Sequence, residues 1–375
     1  MNPDWRSVTV GDIAHIKAGK NLPADRRVAN GPVPVMGANG EIARTSEPLF
    51  PHPVVIVGRV GAYGEVHVVD EPCLVSDNAL VVLPEDPEQV SLPFLALLLE
   101  SIDYERIKGG TTQPLITQSA VNRVQVQLPP PREQRRIVDL VKSLDDVALA
   151  ASSTLRASLS AIPSLLESAT VDAPSVALGT LIEKAKAGAT PSRKRPGYFG
   201  GQIPWLKSAE VDNPAIASTE ESITEEALAA CSTWVAPAGA VVVAMYGATA
   251  GMVGWLTEPV AMNQAVLAII ADEKRVHGRY LYHWMKSRTA QMKARTAGGV
   301  QPNLSKDLVL DEPVSIPPIP VQRALAGLFD SLITLAATCN SEAREVRAAR
   351  HAILVDMLSG DRTVPAAYDR LLVTA

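Results

Sequence analysis

The sequence predicts an α+β protein organised as a tandem pseudo-repeat of two mixed α/β units, each followed by a long amphipathic helix, with the two helices pairing as an antiparallel coiled coil. Three observations predict it. The chain matches itself at an offset of 188: twelve of the 35 positions in 110–144 are identical to those in 298–332 without a gap, among them Gly110/Gly298, Gln113/Gln301, Pro114/Pro302, Pro129/Pro317, Pro130/Pro318, Gln134/Gln322, Arg135/Arg323 and Leu144/Leu332. That period lies far beyond the roughly 20–50 residues of solenoid repeats, so the repeated object is a domain with its connector. Each copy ends on a proline cluster, and an apolar residue then recurs at every third or fourth position for more than thirty residues, the stripe of a helix that needs a partner helix.

Upstream the copies continue to match with small gaps. KAGKNLP (17–23) parallels KAGATPS (186–192), VVIVGRVGAYGEV (54–66) parallels VVVAMYGATAGMVG (241–254), and SDNALVVL (76–83) parallels MNQAVLAII (262–270). The apolar runs Val54–Val57 and Ala240–Ala244 read as strands, and each is followed by a Gly-rich loop and a second strand, Glu65 to Val68 alternating in the first copy. A helix comes next. In the first copy Ser91 can cap it, Pro93 falls in its first turn and Gly109-Gly110 end it; in the second it covers about 278–296 and ends at Gly298-Gly299. The polar loops TTQPLIT and VQPNLS lead to a last strand, which stops at Pro129–Pro131 or at Pro317, Pro318 and Pro320.

The first long stripe is Ile137, Leu140, Leu144, Val147, Ala151, Leu155, Leu159, Ile162 and Leu165. The second is Leu325, Leu328, Leu332, Leu335, Cys339, Ala343, Val346, Ala349, Ile353 and Met357, closed by Ser359-Gly360. Pro163 is expected to kink the first rod, since a proline inside a helix costs ~3 kcal/mol. These signals divide the chain into a first unit (1–130), a first long helix (131–171), a second unit (172–318), a second long helix (319–359) and a tail (360–375). At ~1.5 Å per residue each rod would run roughly 55 Å.

Composition narrows the function. No apolar run reaches bilayer length, and the start, with Asp4 and Trp5, lacks a leader's apolar core, so a cytoplasmic protein is expected. Cys73, Cys231 and Cys339 are far apart with no CxxC, and the six histidines show no HxxxH or HExxH spacing, so neither disulfides nor a metal is expected. No cofactor is expected either. The spacing GxxGxxG in 58–64 is not followed by a crossover helix, which argues against dinucleotide binding, and no GxxxxGK[ST] phosphate loop occurs. Nor is there an N/D-P-P-F/Y/W string, which an adenine methyltransferase uses to hold a flipped base. The net charge of −5 argues against tight nucleic-acid binding by the chain alone. Locally, Arg193-Lys194-Arg195 and the stretch Lys286, Arg288, Lys293 and Arg295 are basic, while Glu220, Glu221, Glu225 and Glu226 gather elsewhere. These clusters are either solvated faces or the two sides of a divided surface.

Two globular units, each closed by a PPPREQRRIV- or PPIPVQRALA-type joint and a long helix, resemble the specificity subunits of type I restriction-modification systems, and HAILVDMLSG (351–360) resembles the end of that family's second conserved helix. The resemblance covers nearly the whole chain. It implies two target-recognition domains, each reading one half of a bipartite sequence in double-stranded DNA, held apart by the antiparallel helices. It further implies a subunit without catalytic residues. Its partners would be two DNA methyltransferase subunits and translocase-nuclease subunits, and no membrane. The competing expectation is a scaffold whose duplicated domains bind proteins.

Side chains that read base edges are Arg or Lys for guanine and Asn or Gln for adenine. In the first copy the candidates are Arg59 and Tyr63 in the Gly-rich loop, with Lys108, Thr111, Thr112 and Gln113. In the second they are Lys207, Tyr246, Thr249, Lys293, Arg295, Gln301 and Asn303. The loop glycines would permit positive φ and close approach to phosphate. Asn78 and Asn263, after the second strand, read as turn or capping residues.

Overall fold

The run Val54-Val55-Ile56-Val57 is apolar at consecutive positions, the pattern of a strand covered on both faces. The computed structural model, which describes residues 4–110, 114–295, 303–360 and 362–364, places it between two layers. Val55 and Val57 face Phe94, Leu95 and Leu98 of the helix Leu92–Glu100, while Val54 and Ile56 face a second cluster with Cys73 and Val75. Val241 and Val243 against Val242 and Ala244 repeat the division in the second copy. By contacts the chain divides into unit 1, Met1–Ser152 with Asn340–Ala375, and unit 2, Ser153–Cys339.

Unit 1 contains β1 (Arg6–Thr9), β2 (Ala14–Ala18), β3 (Val33–Gly37), β4 (Gly40–Thr45), β5 (Val54–Gly58), β6 (Val66–Val69), β7 (Leu74–Val75), β8 (Ala79–Pro84) and β9 (Gln125–Leu128). A four-stranded antiparallel sheet has the order β2-β8-β5-β6; a smaller sheet has the order β4-β3-β7, with β3 and β7 parallel; and β1 pairs with β9. Unit 2 contains β10 (Ser175–Ala177), β11 (Ile182–Ala187), β12 (Phe199–Leu206), β13 (Glu221–Ile223), β14 (Val235–Ala236), β15 (Val241–Ala244), β16 (Val253–Trp255), β17 (Val260–Met262), β18 (Val266–Ala271) and β19 (Pro313–Ser315). Its sheets are β11-β18-β15-β16, β13-β12-β17-β14 and β10-β19, the same plan with one added strand.

The repeated Lys-Ala-Gly marks where the chain leaves the four-stranded sheet. Past the glycines, Lys20 N–H donates to Val75 O (2.8 Å) and Ala189 N–H to Met262 O (3.0 Å). A Cβ at Gly19 or Gly188 would lie 2.0 Å from Ser76 O or 1.9 Å from Met262 O, so only glycine fits.

The helix after the sheet is shorter than the sequence suggests. In unit 1 it stops at Glu100, and Asp103 caps a separate turn, Tyr104–Ile107. In unit 2 Gly278–Ser287 is followed by Thr289–Arg295, and the expected end at Gly298-Gly299 lies outside the described residues. Ser91 takes the N-cap position, but its hydroxyl makes no capping bond. Its backbone is held by Gln134, the buried glutamine of the first proline joint. Gln134 Oε1 accepts the Ser91 N–H (3.3 Å), and Nε2 donates to Gln89 O (2.7 Å) and Pro129 O (3.0 Å). Gln322 does the same in unit 2, accepting from His277 N–H (2.8 Å) and donating to Pro317 O (2.8 Å). Both glutamines are 1% exposed. The duplicated Pro-Pro-x-x-x-Gln is therefore a clasp between the first turns of two helices.

The first long helix runs Pro131–Ser160, and a second segment, Ile162–Ala169, begins after Ala161. Pro163 falls in the first turn of that segment, where a missing N–H costs little. The second long helix, Ile319–Leu358, is uninterrupted. Within unit 1, Ile137 and Val141 share a core with Leu354, Met357 and Leu358, and Arg350 bonds Glu100 and Asp145. Within unit 2, Leu166 shares a core with Ala326 and Phe329. Asp330 of the same helix pairs with Arg279 (2.7 Å) and His283 (2.9 Å). By length and composition alone Ile319–Leu358 could cross a membrane, contrary to the expectation that no apolar run is long enough. Of the stripe, Leu325 and Leu332 pack on the unit 2 core and Ile353 and Met357 on the unit 1 core, while Leu328 and Leu335 are exposed.

Candidate nucleic-acid interface

Antiparallel pairing brings the C-terminal ends of β2 and β5 beside the N-terminal ends of β8 and β6, so four chain segments meet at one end of the unit 1 sheet. The loop 59–65 closes on itself there: Gly58 N–H donates to Glu65 O and Gly64 N–H to Gly58 O, each 2.8 Å. Gly61 and Gly64 take φ of 76° and 83°, as the sequence anticipated for glycines in this loop. Arg59 N–H donates to Asn78 O and Arg59 O accepts from Ile116 N–H, both 2.9 Å, so the chain after the polar loop lies along the Gly-rich loop. The Arg59 side chain is half-buried, and its Nε meets no hydrogen-bond partner among the described residues.

Tyr63 and Lys108 come together. The Tyr63 hydroxyl donates to Glu105 Oε1 (2.5 Å), and Lys108 Nζ donates to Glu105 Oε2 (2.5 Å) and to the Tyr63 oxygen (3.3 Å). The ammonium sits 5.3 Å from the Tyr63 ring centre. Lys108, then Tyr63, hold Glu105 below the usual carboxylate range, and the bond to Glu105 raises Lys108 above its ordinary value. Thr111, Thr112 and Gln113 lie outside the described residues.

The same end of the unit 2 sheet gathers β11, β18, β15 and β16. Tyr246, 44% exposed, bridges backbone to backbone with Asn303, and Leu304 N–H donates to Met245 O (2.8 Å). Leu304 stands 188 residues after Ile116, which makes the equivalent bond in unit 1. Thr249 closes a turn by accepting the Met252 N–H (2.9 Å), and Gly251 packs against Lys293. Lys207 follows β12 at the point where Asn263 N–H reaches Leu206 O (3.0 Å). Tyr246, Thr249, Lys293, Asn303 and Lys207 thus belong to one neighbourhood; Gln301 lies outside the described residues.

The charge clusters do not form a divided surface. Lys207 Nζ bonds Glu220 (2.7 Å) and Glu221 (3.2 Å), and Arg193 grips Glu221 through two bonds (2.7 and 3.1 Å). The Glu220 bond raises Lys207, and Arg193 lowers Glu221. Arg195 bonds the Tyr198 hydroxyl (2.6 Å). Lys286 meets Asp212, while Arg288 (3.4 Å) and Arg295 (2.7 Å) both reach Glu312, which is fully buried. Arg295 therefore has a structural partner. A buried carboxylate left without its cations would cost several kcal/mol.

Sequence reasoning missed Thr190 and Gln264, whose side chains meet at this end of unit 2, and Asp77, exposed at that of unit 1. The matching segments 76–83 and 262–270 were the available signal. Asn263 does cap a turn as expected, accepting the Ala265 N–H through Oδ1 (3.0 Å). Among the described residues no group of three His, Cys, Asp or Glu could hold a metal ion.

Two tandem mixed α/β units, joined and followed by long helices, define the class. The family model for the type I restriction modification DNA specificity domain matches residues 2–160 and 171–346, and the chain belongs to that family. It is 26% identical over 160 residues to the Escherichia coli type I restriction enzyme EcoR124I/EcoR124II specificity subunit (41% of this chain, 39% of that protein). To the MjaIX specificity subunit of Methanocaldococcus jannaschii it is 30% identical over 160 residues (40% and 37%). The matches thus span about two-fifths of these curated relatives. The fold is similar to the S subunit of a type I restriction-modification system from M. genitalium, with TM-score 0.56, 16% identity and coverage of 95% and 96%. It is also similar to a chain solved in work on complex assembly and conformational transition of the type I R-M system, with TM-score 0.62, 16% identity and coverage of 96% and 99%.

Proposed function

We propose that this chain is the non-catalytic subunit that gives a type I restriction-modification complex its DNA sequence specificity. Each unit, taken as residues 1–130 and 172–318, reads one half of a bipartite target in double-stranded DNA. The observation that carries this reading is the duplicated sheet end: in both units a Gly-rich loop, a strand-entry turn and the segment after the polar loop converge, and the candidate aromatic, cationic and amide residues belong to or adjoin these segments. Loops on a rigid sheet can change residues without changing fold, which suits a reader of variable sequence. Arg59, Tyr63 and Lys108 would serve unit 1, and Lys207, Tyr246, Thr249, Lys293 and Asn303 unit 2. Thr111, Thr112, Gln113 and Gln301 adjoin these segments in sequence and belong to the same proposal. Arg295 is retained as a phosphate neighbour that also holds Glu312.

The helices 131–171 and 319–359 would pair as an antiparallel coiled coil, set the spacing of the two readers and carry two methyltransferase subunits, with translocase-nuclease subunits joining them. The net charge of −5 makes tight binding depend on those partners.

The test is to express the chain with its methyltransferase subunits and map methylated bases across a genome, then to exchange residues 172–318 for those of a relative. One half of the recognised sequence should change and the other stay. A change in both halves, or a single unbroken recognised block, would refute the two-reader scheme.

A further inference from the structure

The turn entering the central strand is built alike in both units. In unit 1 Ser76 Oγ accepts the Asn78 N–H (3.4 Å) and Ser76 O the Ala79 N–H (3.1 Å). In unit 2 Asn263 Oδ1 accepts the Ala265 N–H (3.0 Å) and Asn263 O the Val266 N–H (3.2 Å). The strand registers agree, since Gly58 pairs with Ala79 where Ala244 pairs with Val266. Asn263 is therefore the counterpart of Ser76, and Gln264 the counterpart of Asp77. The first residue of each turn is occupied in capping; the second is exposed, at the sheet end where the loops converge.

Gln264 is not simply a solvated tip. The Thr190 hydroxyl bonds its Oε1, and Thr190 is itself fixed because Ala189 N–H donates to Met262 O (3.0 Å) while Trp205 Nε1 donates to Ala189 O (3.3 Å). An amide held by its oxygen keeps both N–H donors and one acceptor site, the set that matches N7 and the amino group on the major-groove edge of adenine. A carboxylate can only accept, which matches the amino group of cytosine. We propose that Gln264 reads an adenine in the half recognised by unit 2, with Thr190 positioning its amide, and that Asp77 reads a cytosine from the same structural place in unit 1. The inference rests on the DNA-recognition reading above.

The test uses the complex assembled with its methyltransferase subunits. Duplexes carrying the mapped target are altered one base pair at a time and compete for binding. Gln264→Ala should reduce discrimination at one position of one half by about tenfold or more, leaving the other positions alone. Gln264→Glu should move preference there from adenine to cytosine, and Asp77→Asn should do the reverse in the other half. Thr190→Val should weaken discrimination at the Gln264 position alone. If Gln264→Ala lowers affinity for all duplexes alike, or leaves the profile unchanged, the base-reading role is overturned while DNA recognition stands. A wild-type complex without sequence preference would overturn both.

Discussion

Replacing Gln322 by leucine keeps the side chain's bulk and removes its bonds, which isolates what the clasp contributes. His277 N–H and Pro317 O, each bonded at 2.8 Å, would lose their partner in a site 1% exposed. A buried polar group left unpaired costs about 1–3 kcal/mol, and the added apolar burial offsets part of this, so a loss of about 2–4 kcal/mol is expected. In a unit of this size each kcal/mol moves the melting temperature by about 2–4 °C, so the unit 2 transition should fall by roughly 5–15 °C. Gln134→Leu should do as much to unit 1: it breaks three bonds, the one to Ser91 long at 3.3 Å. Scanning calorimetry reads the transitions, and hydrogen exchange reads protection of the His277 and Ser91 amides. A transition unmoved in Gln322→Leu, with His277 still protected, would show that the duplicated glutamine does not hold the joint.

Two further outcomes follow from single side chains. Burial holds His283 down at about 4, outweighing the Asp330 carboxylate that favours its charged form; Arg279 and Tyr282 also border it. The folded unit binds that proton more weakly than the unfolded chain does. Its stability is therefore full above about pH 6.5 and declines toward pH 4, by at most about 1.4 kcal/mol per pH unit. Burial opposes ionisation of Asp330, yet Arg279 and His283 keep it below the usual carboxylate range, so its own loss comes at lower pH. Denaturant titrations should show the decline in the wild type and not in His283→Gln; an equal slope in both would refute the assignment. Arg59→Ala should either weaken preference at one base pair by about 1–3 kcal/mol or weaken all sequences alike, the marks of a base and a phosphate contact. Unchanged affinity and preference in the assembled complex would remove Arg59 from the interface.

Much of the fold was legible because the chain states it twice. One copy of Val54–Val57 could be a strand or a short buried helix; a second copy, followed by the same glycine-rich loop and the same proline joint, fixes both the element and its place. The smaller sheets were not legible. The three-residue β13 and the two-residue β14 are too short for periodicity, and β12 pairs in parallel with a strand more than fifty residues away. The helix ends were misplaced because the break after Glu100 is made by Asp103, a cap inside an otherwise apolar pattern. Pro163 was legible: the first rod is interrupted at Ala161, two residues before it, and the proline falls in the first turn of the segment that follows.

The candidate site shows a different limit. Identity between the copies singled out Gln134 and Gln322, and these hold the scaffold. Residues that differ between the copies carry whatever distinguishes one unit from the other, and identity cannot find them. Laying SDNALVVL directly on MNQAVLAII sets Asn78 against Gln264, one residue out of the register of the strand-entry turns. The strand pairing and the capping bonds, from Ser76 in one unit and Asn263 in the other, restore the register that sets Asp77 against Gln264. Where a fold is duplicated so that two copies can read different things, the invariant positions report how the chain folds, and the variable position beside an invariant bond is where its function has to be sought.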